Sequence, residues 1–410
     1  MKKKLVRILT WVLKKLAEFT IVKYRPGVIG ITGSVGKTST KLAIAEVLRS
    51  ERNIRASSAN FNNEIGLPLT ILGSWTKISG ILFWPKVICV SIWRLIFMSD
   101  YPEILILEYG VDRPGDMKYL LSIARPNISV VTAIGEIPVH VEFFSGREEV
   151  EREKGRLVEC LPSEGFAVLN ADDDTVMEMK ERTRAHIMTF GFSRGARVKI
   201  SDFKNLSEGE RPIGVGFKLG YGGNIVSVRL SGVFGKVQSY AAAAAASVSL
   251  IFGLNLVKIA EALKNYKPAG SRLELVQGVK YTYILDDSYN ASPLSMEAAL
   301  GTLKDLPGKR KVAVLGDMTE IGKYTLEAHE RIGRLTAKIV DLLITVGPRA
   351  KFIAESATKS GLNKKNIWSF MKAEEAARPV QNLIQKGDLI LVKASRAMRL
   401  EKIVEEIRAV

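Results

Sequence analysis

Residues 4–22, KLVRILTWVLKKLAEFTIV, repeat apolar positions at helical spacing. Leu5, Leu9, Val12, Leu13 and Leu16 share one face, Trp11 flanks it, and lysines occupy much of the other, which predicts an amphipathic helix. Arg25-Pro26-Gly27 predicts its end. From Val28 onward short apolar runs alternate with helical stretches. Strands are predicted at VIGIT (28–32), NIRASS (53–58), EILILEYG (103–110), NISVVTAIG (127–135) and FAVLNA (166–171), and a helix over 147–160. Residues 196–230 alternate in short steps around GYGGN and predict hairpins. An alanine-rich helix over 237–252 and a shorter one over 256–265 follow. YKPAGSR (266–272) predicts a hinge, beyond which strands recur at 281–288, 311–318, 341–347 and 388–395, separated by helical segments. This alternation is that of an α/β protein with mostly parallel sheets.

One stretch breaks the rhythm. ISGILFWPKVICVSIWRLIF (78–97) is strongly apolar, with only Lys86 and Arg94 charged. Three readings fit it: a buried helix pair, an element lying in a membrane interface, or a span that Pro85 and the two charges weaken.

Composition narrows the setting. The chain has 410 residues, 47% hydrophobic and 25% charged, enough for two or three domains with sizeable cores. Its two cysteines, Cys89 and Cys160, supply neither a disulfide framework nor a four-cysteine zinc site. With no secretory signal, the expected setting is the cytoplasm. Net charge is +17, and residues 1–25 carry eight basic residues against Glu18. A basic patch attracts phosphates of nucleic acid or anionic lipid. The excess sits in one amphipathic segment and no aromatic-interleaved RNA-binding motif appears, so no nucleic-acid partner is expected. An anionic membrane surface, on the inner face of the cell membrane, remains a candidate partner.

The chemistry begins at GITGSVGKTST (30–40). Gly33, Ser34, Gly36, Lys37, Thr38 and Ser39 lie where a strand meets a helix. Glycines there let backbone N–H groups close around phosphate oxygens. Lys37 can reach the β- and γ-phosphates, and the Thr38 hydroxyl can ligate Mg²⁺. The first domain therefore reads as a P-loop ATPase-like sheet domain over 26–268, preceded by the basic segment 1–25. A Rossmann-like α/β domain follows over 269–410.

TGSVGKTST resembles the phosphate loop of the Mur ligase family, and other motifs agree. ANFNNEIGLPLTIL (59–72), LEYGVDRPGDM (107–117), VHVEFFSGREEVEREKG (139–155), GSRLELVQG (270–278) and LVKASRAMRLEKIV (391–404) are similar to family segments. DDSYNASPLSM (286–296) and LGDMTEIG (315–322), followed by His329, resemble the MurF branch in particular. Ligases of that branch add D-alanyl-D-alanine to a UDP-MurNAc-tripeptide in peptidoglycan precursor synthesis, using ATP and passing through an acyl phosphate. The resemblance implies that Lys37 neutralises the phosphates. Thr38 and Glu108 would hold one Mg²⁺. His140 would lie near a second, which a carbamylated Lys154 would help to bind. Arg272 would close onto the γ-phosphate, Asp287 would bind the ribose, and Gln238 would face the adenine. Asn62, Asn63, Asn290, Asp317, Lys393, Ser395 and Arg396 would line the substrate side. The implied partners are a muropeptide precursor and the D-Ala-D-Ala dipeptide, and a monomer is expected.

Two departures stand out. Where the family has a histidine and an asparagine before the alanine-rich helix, this chain has Val237 and Gln238. The branch also carries an N-terminal UDP-binding domain, for which residues 1–25 leave no room. The alternatives are a Mur-type ligase acting on a lipid-linked or other carboxylate, as MurT or folylpolyglutamate synthetases do, and a nucleotide-gated binding protein. MurT carries a four-cysteine zinc insert that two cysteines cannot supply.

Overall fold

The computed structural model describes residues 2–57, 60–80 and 82–409, with the side chains of Lys2 and Lys3 outside that description. Two sheets organise the described residues. The first takes β1 (Gly27–Thr32), β2 (Ile54–Ala56), β3 (Ile104–Glu108), β4 (Ile128–Val131), β5 (Phe166–Asn170), β6 (His186–Gly191), β7 (Val198–Glu208), β8 (Arg211–Tyr221) and β9 (Asn224–Ser231). Its spatial order is β2-β3-β1-β4-β5-β6-β7-β8-β9. Pairing is parallel from β2 to β7, and β7–β8–β9 form an antiparallel meander at one edge, where the short alternation predicted hairpins. β1 carries the chain outward to β3 on one side and β4 on the other. The crevice beyond its carboxyl end is where open parallel sheets place ligands.

Helices cover both faces of this sheet. One face holds α2 (Lys37–Arg49), which follows the glycine loop, and, later in the chain, two helices that span Lys236–Ile251 and Leu256–Leu263. The alanines 241–246 are all buried, and their small side chains let that helix lie close against α2 and the sheet. The other face holds α3 (Gly66–Leu72), α5 (Asp116–Ile123) and α6 (Arg147–Glu159). Outside α3 lie two more helices, α1 (Lys2–Tyr24) and α4 (Phe83–Phe97).

The second sheet runs β10-β11-β15-β12-β13-β14, built from Glu274–Gly278, Thr282–Asp287, Asp388–Lys393, Arg310–Gly316, Leu342–Val346 and Ile367–Phe370 in that order. It is parallel except for the β10–β11 edge pair. The chain is thus the α/β protein that its periodicity predicts. The strands the pattern does not predict, β6, β10 and β14, are a short buried run and two sheet edges.

The two odd segments differ from expectation in detail. On α1, Leu9, Leu13 and Leu16 of the shared apolar face turn inward, joined by Ala17 and Thr20, so that face packs on the fold and is not free for a membrane, while Leu5 stands exposed and Val12 is half-buried. Residues 78–97 give one helix rather than a buried pair. On it Phe83, Val87 and Ser91, four residues apart, are buried, and the opposite face is open. Among the described residues no helix is long and apolar enough to cross a membrane, which sets the span reading aside.

Candidate active site

The loop between β1 and α2 is shaped by its glycines. Gly33 has φ 141°, and a Cβ there would fall 2.0 Å from Thr132 Oγ1. Gly36 has φ 89° and opens α2 without a side-chain cap, so the first-turn N–H groups face the crevice with the helix dipole behind them. The Ser34 and Val35 N–H groups donate to the Ala133 carbonyl at 2.6 and 3.2 Å. Ser34 Oγ is buried without a hydrogen-bond partner, an orphan that a phosphate oxygen would satisfy. Lys37 Nζ donates to the Gly33 carbonyl at 2.8 Å, folded over the loop. Desolvation lowers the Lys37 pKa, and the Glu108 charge opposes that.

Glu108, at the end of β3, is buried in the centre of a polar cluster. Thr38 Oγ1 lies 3.1 Å from Glu108 Oε2 and 3.2 Å from Asn60 Oδ1. Asn62 Nδ2 donates to Glu108 Oε1 at 3.2 Å. Lys41 Nζ sits 3.5 Å from Glu108 Oε2 and donates to Ser57 Oγ at 3.0 Å. Burial alone would raise the Glu108 pKa, but Lys41, Lys37 and Arg272 together hold it below the usual value. The carboxylate is therefore charged, and with the Thr38 hydroxyl and the Asn60 amide oxygen it presents hard oxygen donors. Among the described residues no three His, Cys, Asp or Glu side chains gather into a ready-made metal cage. That donor set fits Mg²⁺, which takes one or two carboxylates and completes its shell with substrate phosphates and water.

Lys154, on α6, is fully buried, with Nζ 3.4 Å from the Gly33 carbonyl. Desolvation, with repulsion from Lys37, pushes its pKa down to about 7. Its neighbour Glu153 is also buried, accepting from the Gly115 and Met117 N–H groups, both at 3.0 Å. EREKGR thus reads like a solvated charge run in sequence and is half interior in the fold. His140 adopts φ 68° and lies between two carboxylates. Nε2 is 3.3 Å from Asp112 Oδ1, and Nδ1 is 2.8 Å from Glu320 Oε2 on the second domain. The imidazole thus sits where the two domains meet, flanked by a carboxylate from each.

The second domain reaches in through Arg272. Its Nη2 donates to Thr38 Oγ1 at 3.3 Å, and its guanidinium lies 4.3 Å from the Tyr289 ring centroid. Arg396 lies 5.1 Å from the same ring, so Tyr289 carries two guanidinium groups, and its hydroxyl meets Asn60 Nδ2. Asp287 pairs with the buried Lys393 at 2.7 Å, and Lys393 also donates to the Asn290 carbonyl at 2.8 Å. Burial raises the Asp287 pKa, and Lys393 opposes it.

Other expected site residues have structural partners. Asn63 Oδ1 accepts from the N–H of Gly66, the first residue of α3, at 2.9 Å. Asn290 Oδ1 accepts from the next N–H, Ala291, at 2.9 Å. Asp317 Oδ1 accepts from Arg349 and Ala350 at 3.0 and 2.7 Å. Ser395 Oγ accepts from the Thr319 N–H at 2.9 Å. Ser39 is buried under the loop. Gln238 Oε1 accepts from the Tyr266 hydroxyl at 2.8 Å in the interior, away from the crevice. His329 is a core histidine, pushed down to about 4 by burial, accepting from the Met318 N–H at 3.0 Å.

Beside the loop a cavity of about 870 Å³ opens between the domains. Gly36, Asn170, Val237 and Tyr240 line one side, and Leu294 and Thr302 the other. Its size and position suit a nucleotide whose phosphates rest on α2. Sequence reasoning missed Lys41, Asn60, Tyr289 and Tyr240. Lys41 was within reach, one helical turn beyond Lys37, and Asn60 and Tyr289 stand inside quoted motifs. Nothing in the sequence marked Tyr240.

Comparisons with known proteins agree with this geometry. The Mur ligase middle domain matches residues 31–77 and 94–248, and the Mur ligase, glutamate ligase domain matches residues 271–396. The UDP-N-acetylmuramoyl-tripeptide–D-alanyl-D-alanine ligase of Bacillus subtilis (strain 168) is 30% identical over 397 residues, covering 96% of this chain and 79% of the relative. MurF of Acinetobacter baumannii matches with a TM-score of 0.80 at 26% identity, over 96% of this chain and 79% of that one. The MurF ligase of Thermotoga maritima in complex with ADP matches with a TM-score of 0.78 at 28% identity, over 97% and 83%.

Proposed function

The chain belongs to the Mur ligase family of ATP-dependent amide-bond-forming enzymes, and from that premise we propose that it is a MurF-type ligase of peptidoglycan precursor synthesis. It would join D-alanyl-D-alanine to the free carboxylate of a UDP-MurNAc-tripeptide in the cytoplasm. The observation that carries the reading is the meeting of both domains on the phosphate loop. Arg272 of the second domain touches Thr38, which touches Glu108. Positioning and charge neutralisation are what phosphoryl transfer needs most.

In this scheme a carboxylate oxygen of the acceptor attacks the γ-phosphorus and ADP leaves. The amine of the dipeptide then attacks the acyl carbon. The C–O bond breaks with its electrons to phosphate, and the amine loses a proton. Lys37 and Arg272 would offset the charge on the transferring group. Thr38 and Glu108 would hold Mg²⁺, whose charge lowers the repulsion between phosphate and carboxylate. Lys154, neutral for part of the time because its pKa lies near 7, can add CO₂ and lose a proton to become a carbamate. That converts a buried amine into an oxygen ligand for a second Mg²⁺. Tyr289 would hold Arg272 and Arg396 in place between the domains. The buried Gln238 leaves Val237 and Tyr240 as the adenine-side surface.

The test is purified protein with ATP, Mg²⁺, UDP-MurNAc-tripeptide and D-Ala-D-Ala, followed by mass spectrometry. The expected result is the UDP-MurNAc-pentapeptide with one ADP and one phosphate per bond. Ligation only onto a lipid-linked muropeptide or another carboxylate would overturn the substrate assignment and leave the ligase chemistry standing.

A further inference from the structure

Exposed apolar surface is unevenly spread over this molecule. Of nineteen exposed large hydrophobic residues among the described ones, twelve lie within 5–22 and 78–97. Scattered single exposures are normal, but a concentration of this kind marks an interaction surface. On α1, Lys4, Ile8, Trp11, Lys15, Phe19 and Val22 follow one another at steps of three or four, a single stripe turned away from the packed Leu9–Leu13–Leu16 face. On α4 the open face carries Leu82, Ile92, Trp93, Ile96 and Phe97, with Lys86 as its one charge. Trp11 is 61% exposed, Trp93 54% and Phe97 70%. Trp75 and Trp84, by contrast, are half-buried and pack edge-on against Phe83.

The two helices form one unit. Leu13 of α1 packs with Phe83 and Val87 of α4. Lys23 Nζ donates to the Leu95 and Met98 carbonyls at 2.7 and 2.8 Å, and the Tyr24 hydroxyl donates to the Arg94 carbonyl at 2.8 Å. The domain match spans 31–77 and 94–248, so α1 and most of α4 lie outside it. None of the loop, Glu108 or Arg272 contacts described above involves a residue of this layer.

We propose that the outer faces of α1 and α4 dock this enzyme on an anionic lipid membrane. Exposed tryptophan and phenylalanine suit the boundary between acyl chains and water, where a ring is buried and an N–H stays wet. Lys4, Arg7, Lys15 and Lys86 suit anionic head groups. The same lysines argue against a second copy of the chain, because a two-fold contact would set like charges against each other. The continuous apolar stripes argue against nucleic acid. Beneath α1, α3 begins directly after the Asn60–Asn63 segment that enters the site, so docking would bring the acceptor side of the crevice within about one helix diameter, ~10 Å, of the layer that touches lipid.

Co-sedimentation of the full chain with vesicles tests this. The wild type should bind vesicles of equal parts phosphatidylglycerol and phosphatidylcholine, bind phosphatidylcholine alone weakly, and lose binding as salt rises. The double variant Trp93→Ser, Phe97→Ser should partition about tenfold less or lower, while ATP turnover is unchanged, since neither residue reaches the nucleotide crevice. The double variant Lys4→Gln, Arg7→Gln should lose the preference for anionic lipid. Absence of binding to the anionic vesicles, or equal binding by all variants, overturns the proposal. So does sedimentation of the wild type as a dimer that the serine variant dissociates, which would make a second copy the occupant.

Discussion

The Glu108 cluster and the α1–α4 layer break the usual partition of residues in opposite directions. Around Glu108, charged groups are buried: Glu108, Lys41 and Lys154 are all nearly inaccessible. On α1 and α4, large apolar groups stand in water. Each inversion costs free energy in the isolated fold, because buried charge is desolvated and exposed apolar surface is hydrated. The two are resolved differently. The buried charges find partners within the chain, from strands, helices and the second domain. The exposed rings stay largely in solvent even where two of them touch, as Trp93 and Phe97 do, and docking on lipid would cover them. A buried charge cluster with internal partners is a site prepared for chemistry, and an exposed apolar face without them is a site prepared for docking.

The sharpest way to break the first half of that contrast is to remove its charges. Lys37→Ala and Glu108→Ala should each slow acceptor-dependent ATP turnover by ~10²–10³, the scale for losing one preorganised electrostatic contact in a dry site. Wild-type turnover by Lys37→Ala, in a phosphate-release assay, would remove the phosphate-loop assignment. Lys154→Ala should lose most activity as well, with partial recovery when short carboxylates are added. With bicarbonate limiting, wild-type activity should rise as pH rises through about 7, because only the neutral amine captures CO₂. Full activity of the alanine variant in CO₂-depleted buffer would exclude the carbamate.

The second half of the contrast is best sharpened on a single helix. Leu13→Ala on the packed face of α1 should lower stability by about 2 kcal/mol or more, measured by urea unfolding. Smaller in effect is Tyr289→Ala, which removes the ring between Arg272 and Arg396. It should slow turnover by roughly threefold to thirtyfold, the equivalent of about 0.7–2 kcal/mol for a desolvated cation–π contact. Tyr289→Phe keeps the stacking and should cost less, so equal rates for the two variants would show that the hydroxyl, not the ring, matters. The smallest effect is expected for Trp11→Ser on the open face of α1, within about 0.5 kcal/mol of wild-type stability. A large loss there would mean that Trp11 packs in solution, and the two faces of α1 would no longer differ.

The phosphate loop was readable because it is contiguous: glycines, Lys37 and Thr38 sit within six residues of a predicted strand. Glu108 was readable as the polar end of an apolar strand. Lys154 was readable only through resemblance, since its own neighbourhood is charged, and its burial depends on α6 lying against the loop. Gln238 shows the limit from the other side. The resemblance set it facing adenine, whereas its side chain is buried and accepts from the Tyr266 hydroxyl. Asn63 and Asp317 stand in the resembling motifs, and each has one side-chain oxygen, Oδ1, accepting from backbone N–H groups. Spacing cannot tell a capping carboxylate from a binding one.

By itself the sequence determined the order of strands and helices, the parallel character of both sheets and the chemistry of the loop. Periodicity and turn residues act over a few neighbours, and a phosphate cradle is built from one turn of chain. Tertiary structure decided what distant residues do to each other. Thr38 meets Arg272 from 234 positions away, and Lys154 loses its water only when α6 closes over Gly33. It also decided which side of α1 faces outward. Leu9 and Trp11 are both apolar and two residues apart, and only the position of α3 and α4 packs one against the fold and leaves the other in solvent.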